Sequence, residues 1–167
     1  RLKVDAMSTD PDFWKIFKLQ FLDGKSFTEA ERGGDMQSVV ISASVARKLF
    51  GTTEAAGRQM LLNREVVRII GVVKDISVTA KDAYAQVWSM YHSNELNVTD
   101  WWSYNGNRTI AVLARTPDDF PAIKQGVEKR VKDVNAGLEQ RQIDIMEQPD
   151  NIVACLLYTS DAADDKA

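Results

Sequence analysis

"VVISASVARKLFG" (39–51) and, after a short gap, "MLLNREVVRIIGVVKDI" (60–76) carry the sharpest local signals in the chain. "SVVIS" (38–42) is β-branched and apolar, so it reads as a strand. Ser42 or Ser44 can cap a short helix behind it, in which Val45 and Leu49, and Ala46 and Phe50, form i,i+4 pairs. Gly51 stands where a left-handed C-terminal residue belongs. "EAAGRQMLL" (54–62) then leads through Gly57 into a strand. "EVVRIIGVVKDI" (65–76) is almost wholly apolar, as a strand covered on both faces requires. Gly71 inside it marks a bulge or a close backbone approach. The unit is strand, helix, strand, strand, and no obvious catalytic group falls within it.

On the N-terminal side, "KVDAM" (3–7) is a short strand candidate. "TDPDFWKIF" (9–17) reads as a helix with Thr9 or Asp10 as N-cap, Pro11 at its first position and Asp12 favourable to the helix dipole. Phe13, Ile16 and Phe17 fall on one face of it. "LQFLDGKSF" (19–27) alternates apolar and polar side chains up to Gly24, a turn residue before Phe27. "TEAERGGDMQ" (28–37) is polar and reads as a surface loop.

On the C-terminal side the pattern first weakens. "AQVWSMY" (85–91) fits a strand and "HSNELNVTD" (92–100) a loop. "RTIAVLART" (108–116) reads as a strand, and Thr116 and Pro117 open a long helix. Phe120, Ile123, Val127, Val131, Val134 and Leu138 form its apolar stripe, while Lys124, Glu128, Lys129, Lys132 and Asp133 cover the opposite face. Gly137 is placed to end it and "RQIDIMEQ" (141–148) supplies a closing strand, which together make a βαβ unit.

Composition narrows the function classes. The chain has 167 residues, 44% hydrophobic and 27% charged, enough for one domain or two small subdomains with a real core. A net charge of −3 argues against a general nucleic-acid binder, which would need a clustered basic face. No apolar run approaches the roughly 18 residues that span a bilayer. With one Cys (Cys155) and one His (His92), a Cys/His zinc site, a redox pair and a disulfide framework are all excluded. The opening "RLKVDAM" has neither initiator Met nor signal peptide and reads as the start of a fragment. "CLLYTSDAADDKA" (155–167) has no apolar period and no cap; it reads as translated adapter sequence rather than a native terminus.

Each candidate site has a plainer reading beside it. His92, near Asp82, Glu95 and Asp100 in sequence, offers an acid–base grouping, yet a lone His in a polar loop is usually just solvated. "DWWSY" (100–104) offers Trp101, Trp102 and Tyr104 for stacking on a ligand or partner, or for pinning the loop to its own core. "KQGVEKRVK" (124–132) is a basic patch, or a solvated helix face broken by Glu128. Gly33-Gly34 lacks the strand–turn–helix context of a nucleotide fingerprint. "NVT" and "NRT" match the glycosylation sequon, which carries no weight if the source is bacterial.

Taken together, "STDPDFWKIFKLQFLDGKSF" (8–27), "VVISASVARKLFG", "GRQMLLN" (57–63) and "VRIIGVVKDI" (67–76) resemble the extracytoplasmic domain of MacB-like (FtsX-like) ABC transporter permeases. That family shows a P-D-F/Y helix, a G-R/K-x-F turn, an S-x-x-x-A-x-x-L-F-G helix, a G-K/R strand start and a V-I-G-V-V-K-D strand. The matching residues are Pro11, Asp12 and Phe13; Gly24, Lys25 and Phe27; Ser42, Ala46, Leu49, Phe50 and Gly51; Gly57 and Arg58; and Ile70 to Asp75. Two departures concern the hairpin: Ala55-Ala56 replace a Pro followed by a larger aliphatic, and "NREV" lacks the usual Asn-Gly and is shorter.

The resemblance implies an α+β fold, with a mixed-sheet subdomain and short helices plus a C-terminal βαβ porter-like unit. The expected division is 1–107 for the inserted-type mixed subdomain, 108–152 for the βαβ portion and 153–167 for the non-native tail. A membrane helix and a first βαβ half are expected before Arg1, and three further membrane helices after the tail. It also implies a non-catalytic domain on the periplasmic or extracellular face, without cofactor or metal. Expected partners are a cytoplasmic ATPase subunit or domain and a periplasmic adaptor, with a homodimer in the full-length transporter and no nucleic acid. This chain itself has no GxxxxGK[ST] phosphate loop. Partner contact is expected on "EAERGGDMQ" (29–37) and on "NELNVTDWWSYNGN" (94–107), through Trp101, Trp102 and Tyr104. The competing reading is a free-standing α/β recognition module for a protein or a hydrophobic or sugar ligand; a small hydrolase is a third.

Overall fold

Val39, Val40 and Ile41 stand in a row on one strand and all three are fully buried. Successive side chains of a strand point to opposite faces, so this strand must be covered on both. The computed structural model, which describes residues 2–34, 36–91, 109–138 and 149, shows how. The chain divides into two compact units, Arg1–Asp100 and Trp101–Ala167.

In the first unit the described elements are β1 (Ala6–Thr9), α1 (Asp12–Phe17), β2 (Phe21–Gly24), a 3-10 turn (Glu29–Gly33), β3 (Ser38–Ser42), α2 (Ala43–Phe50), β4 (Gln59–Leu62), β5 (Glu65–Val73) and β6 (Val87–Met90). The strands form one mixed sheet in the order β1-β6-β3-β5-β2, with β4 also paired to β5. β1 runs parallel to β6 and β3 parallel to β5, while β2 and β4 lie antiparallel to β5 and β6 antiparallel to β3.

One face of the sheet, with Val39, Ile41, Val67, Ile69, Val72 and Val87, packs with Ala43, Val45 and Ala46 of α2. The other, with Val40, Val73, Trp88 and Met90, packs with Phe13 and Trp14 of α1 and with Phe27. The Trp14 ring lies 5.1–6.0 Å from those of Phe13, Phe21, Phe27 and Trp88. Edge-to-face and tilted contacts of this kind add to what burial alone contributes. A bulge decides which face each residue of β5 joins. Val39 pairs with Ile69 but Val40 with Gly71, so Ile70 is the extra residue. After it the alternation shifts, sending Val72 to the α2 side and Val73 to the aromatic side.

Gly71 also meets the second expectation. A Cβ there would run into the Lys25 carbonyl and the Phe21 ring, because β2 crosses β5 with Gly24 opposite Gly71.

Local chemistry explains the helices. Ser42 Oγ accepts from Val45 N–H at 3.4 Å and Gly51 closes α2 at φ +74°. Asp10 accepts from Phe13 N–H at 3.0 Å, the bond an N-cap side chain makes. Three details differ from the sequence reading. Trp14, not Ile16, shares burial with Phe13 in α1. Leu49 is 43% exposed. Within 28–37 the chain forms a 3-10 turn, because Thr28 and Glu31 make a capping box, with Thr28 N–H donating to Glu31 at 2.7 Å.

In the second unit α3 (Phe120–Asn135) follows a 3-10 turn at Pro117–Asp119. Asp119 accepts from the backbone N–H groups of Arg115 and Thr116 at 3.2 and 3.3 Å, fixing the entry to the helix. The apolar stripe lies on one face, with Ile123, Val127, Val131 and Val134 half-buried and Phe120 41% exposed. Residues 109–114 belong to no strand among the described residues; a strand exists through its hydrogen-bonded neighbour, and no described residue pairs with them. The closing strand expected at 141–148, and the tail, lie outside the described residues.

Candidate functional site

The structure gives most of the recognised motif residues work inside the scaffold. Asp75, at the end of the V-V-K-D strand, turns back onto α2: its Oδ1 accepts from Ser44 N–H at 2.9 Å and its Oδ2 lies 3.7 Å from Arg47 Nη1. A carboxylate at a helix N-terminus satisfies free N–H groups and complements the dipole. Asp23, beside Gly24, accepts from Ala56 N–H at 2.8 Å and so ties β2 to the segment before β4. Arg58, of the G-R strand start, lies 5.1 Å over the Phe50 ring, a cation–π contact linking α2 to the hairpin. These contacts lock pieces of the scaffold together.

The hairpin turn departs from Asn-Gly without losing its geometry. Leu62 pairs with Glu65, leaving Asn63 and Arg64 as a two-residue loop with φ +52° and +76°. Positive φ at both positions is the type I′ turn that suits a twisted hairpin.

Of the two loops expected to meet a partner, one is described. Its 3-10 turn is held by Arg32, which forms an ion pair with Glu29 at 2.6 Å and donates through Nη1 to the Tyr91 carbonyl at 3.1 Å. Tyr91 N–H in turn donates to the Thr9 carbonyl at 2.8 Å. The turn, the end of β1 and the end of β6 therefore meet where the 92–107 segment begins. Hydrogen bonds from Thr28 hold the Glu31 carboxyl below the ordinary glutamate range, and the Arg32 pairing does the same for Glu29. The Asp12 carboxylate raises Lys15. Burial first, and then Asp5, whose carboxylate accepts from the phenol at 3.1 Å, raise Tyr84.

Trp101, Trp102 and Tyr104 lie outside the described residues, as do His92, Glu95 and Asp100. Among the described residues no group of three or more His, Cys, Asp or Glu side chains is placed to hold a metal, and no helix is long and apolar enough to cross a membrane. The sequence reading missed Arg32 as an anchor. Its carbonyl partner lies 59 residues away, and no local spacing signals such a contact.

A mixed sheet covered on one face by an aromatic helix and on the other by an S-x-x-x-A-x-x-L-F-G helix defines an α+β domain. Residues 2–130 match the MacB-like periplasmic core domain, and the chain belongs to that family. Its fold is similar to the extracellular domain of the noncanonic ABC-type transporter YknZ from Gram-positive bacteria (TM-score 0.57, 20% identity, 86% of this chain and 74% of that one). It is also similar to the periplasmic region of MacB from Actinobacillus actinomycetemcomitans (TM-score 0.50, 18% identity, 75% and 56%). By sequence it is 31% identical over 90 residues to the macrolide export ATP-binding/permease protein MacB of Chromobacterium violaceum, covering 54% of this chain and 14% of that protein. The corresponding protein of Shigella dysenteriae is 24% identical over 90 residues, covering 53% and 14%. The chain thus spans about one-seventh of the curated relatives it matches. It is a periplasmic or extracellular domain of a MacB-like ABC transporter permease.

Proposed function

We propose that the domain performs no chemistry of its own, and that it binds an adaptor protein or cargo and passes on motion driven by ATP hydrolysis in a separate cytoplasmic ATPase unit. The observation that carries this reading is the doubly covered sheet, in which β3 and the second half of β5 are buried on both sides. Close-packed interiors deform little, so a displacement applied at one end of such a sheet is delivered at the other. The parent permease works as a homodimer. Two relatives are named for macrolide export, and by that likeness an exported small molecule is the first cargo class to test.

Partner contact is assigned to the 94–107 segment, through Trp101, Trp102 and Tyr104. Large aromatic side chains in exposed loops are common interface anchors, and Arg32 ties the 29–33 turn to Tyr91, the last described residue before position 92. His92 has no part in it, so His92→Ala leaves transport unchanged. The test is pull-down of the adaptor by the reconstituted transporter, alongside basal ATPase activity. The Trp101→Ala/Trp102→Ala variant is expected to lose adaptor or cargo engagement while ATP hydrolysis persists. Unchanged pull-down and transport would return the two tryptophans to a role in their own loop.

A further inference from the structure

Leu61 and Val66 face each other across the β4–β5 hairpin and are 73% and 50% exposed. Their neighbours Met60, Leu62 and Val67 pack into the α2 core. The hairpin is thus held on one face while the other presents an apolar pair to solvent. Beside that pair Arg68 is exposed, and exposed Arg64 forms the tip. Neither guanidinium has an ion pair among the described residues. Arg64 holds φ +76° at the turn position that glycine occupies without strain. A long cationic side chain thus stands where it strains the backbone, and strain of this kind tends to cluster at functional positions.

We infer that this face of the hairpin is a docking surface for a protein partner offering an apolar hollow rimmed by carboxylates. The inference rests on the reading above, in which such a partner is the transporter's adaptor, and it adds a second contact distinct from the 94–107 segment. Charge supports an acidic partner: residues 58–68 hold Arg58, Arg64 and Arg68 against Glu65 alone, in a chain of net charge −3. The same imbalance disfavours pairing of this hairpin with its own counterpart in a second copy, where arginines would face arginines. A lipid surface is the poorer fit, since lasting attachment needs a deeper apolar insertion or a cluster of about four or more basic residues. The hairpin has neither, and no Trp or Tyr to sit at the headgroups. A rigid aliphatic centre with Arg beside it matches the core of a protein interface, where pre-organisation lowers the cost of binding.

The test measures Kd between the full-length permease and the adaptor encoded with it. Leu61→Asp and Arg68→Glu are each expected to raise Kd at least about tenfold. Arg68→Lys should retain most of the affinity, and wild-type binding should weaken as NaCl is raised. Both positions are exposed, so melting temperatures should hold, and a retained melting temperature separates lost docking from lost folding. Wild-type binding that both variants keep overturns this inference alone. Absence of binding by the wild type overturns the adaptor reading and this inference with it. Loss of co-sedimentation with phosphatidylglycerol-containing vesicles in the same variants, with adaptor binding intact, reassigns the face to lipid and overturns the protein partner.

Discussion

β3 carries three consecutive residues without solvent exposure, whereas the apolar stripe of α3 contains no buried residue at all. Both segments carry clear apolar signals in sequence: an unbroken β-branched run in β3 and a stripe at helical spacing in α3. What separates them is the company each keeps. β3 has a strand on either side and an apolar cluster above and below, while α3 has its own 3-10 entry turn and a half-exposed stripe among the described residues. Local signals make an element; only tertiary neighbours make it a core.

The comparison breaks most readily at Trp88, which is fully buried, pairs with Val40 across the sheet and packs on the Trp14 ring. Trp88→Ala should cost about 3–5 kcal/mol in denaturant unfolding, the range for large aromatic truncations in a core. A loss below about 1 kcal/mol would mean the aromatic face is loosely packed. Gly71→Ala comes next, at about 1–3 kcal/mol, because the new methyl meets the Lys25 backbone and cannot be accommodated by a side-chain rotation. A neutral result would show that β2 does not cross β5 as closely as described. Asp75→Ala should cost about 1 kcal/mol through the lost cap on α2, read as a lower melting temperature. Val127→Ala, on the half-exposed stripe, should cost less than about 1 kcal/mol. If it costs as much as Trp88→Ala, the α3 face is buried in solution and the two regions are alike.

Much of the first region was legible because its signals are local. Ser42 and Gly51 bracket α2 as their residue types require, and Gly71 lies beside the Ile70 bulge and at the close approach of β2. The failures have physical causes. The i,i+4 pairing put Leu49 with Val45, but pairing says which side chains share a face and not how far the sheet extends beneath them. Trp14 was overlooked because it lies next to Phe13, and two adjacent buried residues in a short helix require cover that only a surrounding cluster provides. The Thr28–Glu31 capping box had the right spacing in the sequence and was hidden by the polar, glycine-rich context. Asp75 belonged to the recognised motif, yet its partner Ser44 is 31 residues back; such a contact exists only in the fold. The proposed binding residues Trp101, Trp102 and Tyr104 rest on sequence alone; the structure describes the chain as far as Tyr91, whose carbonyl Arg32 holds.

The reading of the sheet as a stiff transmitter is tested most directly by hydrogen exchange on the full-length transporter, at rest and during ATP turnover. Backbone amides of 39–41 and 67–73 are expected to stay the best protected of the domain, with the same protection in both conditions, while 94–107 changes when the adaptor binds. Faster exchange in β3 and β5 during turnover would show that the sheet opens with each cycle, and a sheet that opens cannot carry the motion as a rigid body.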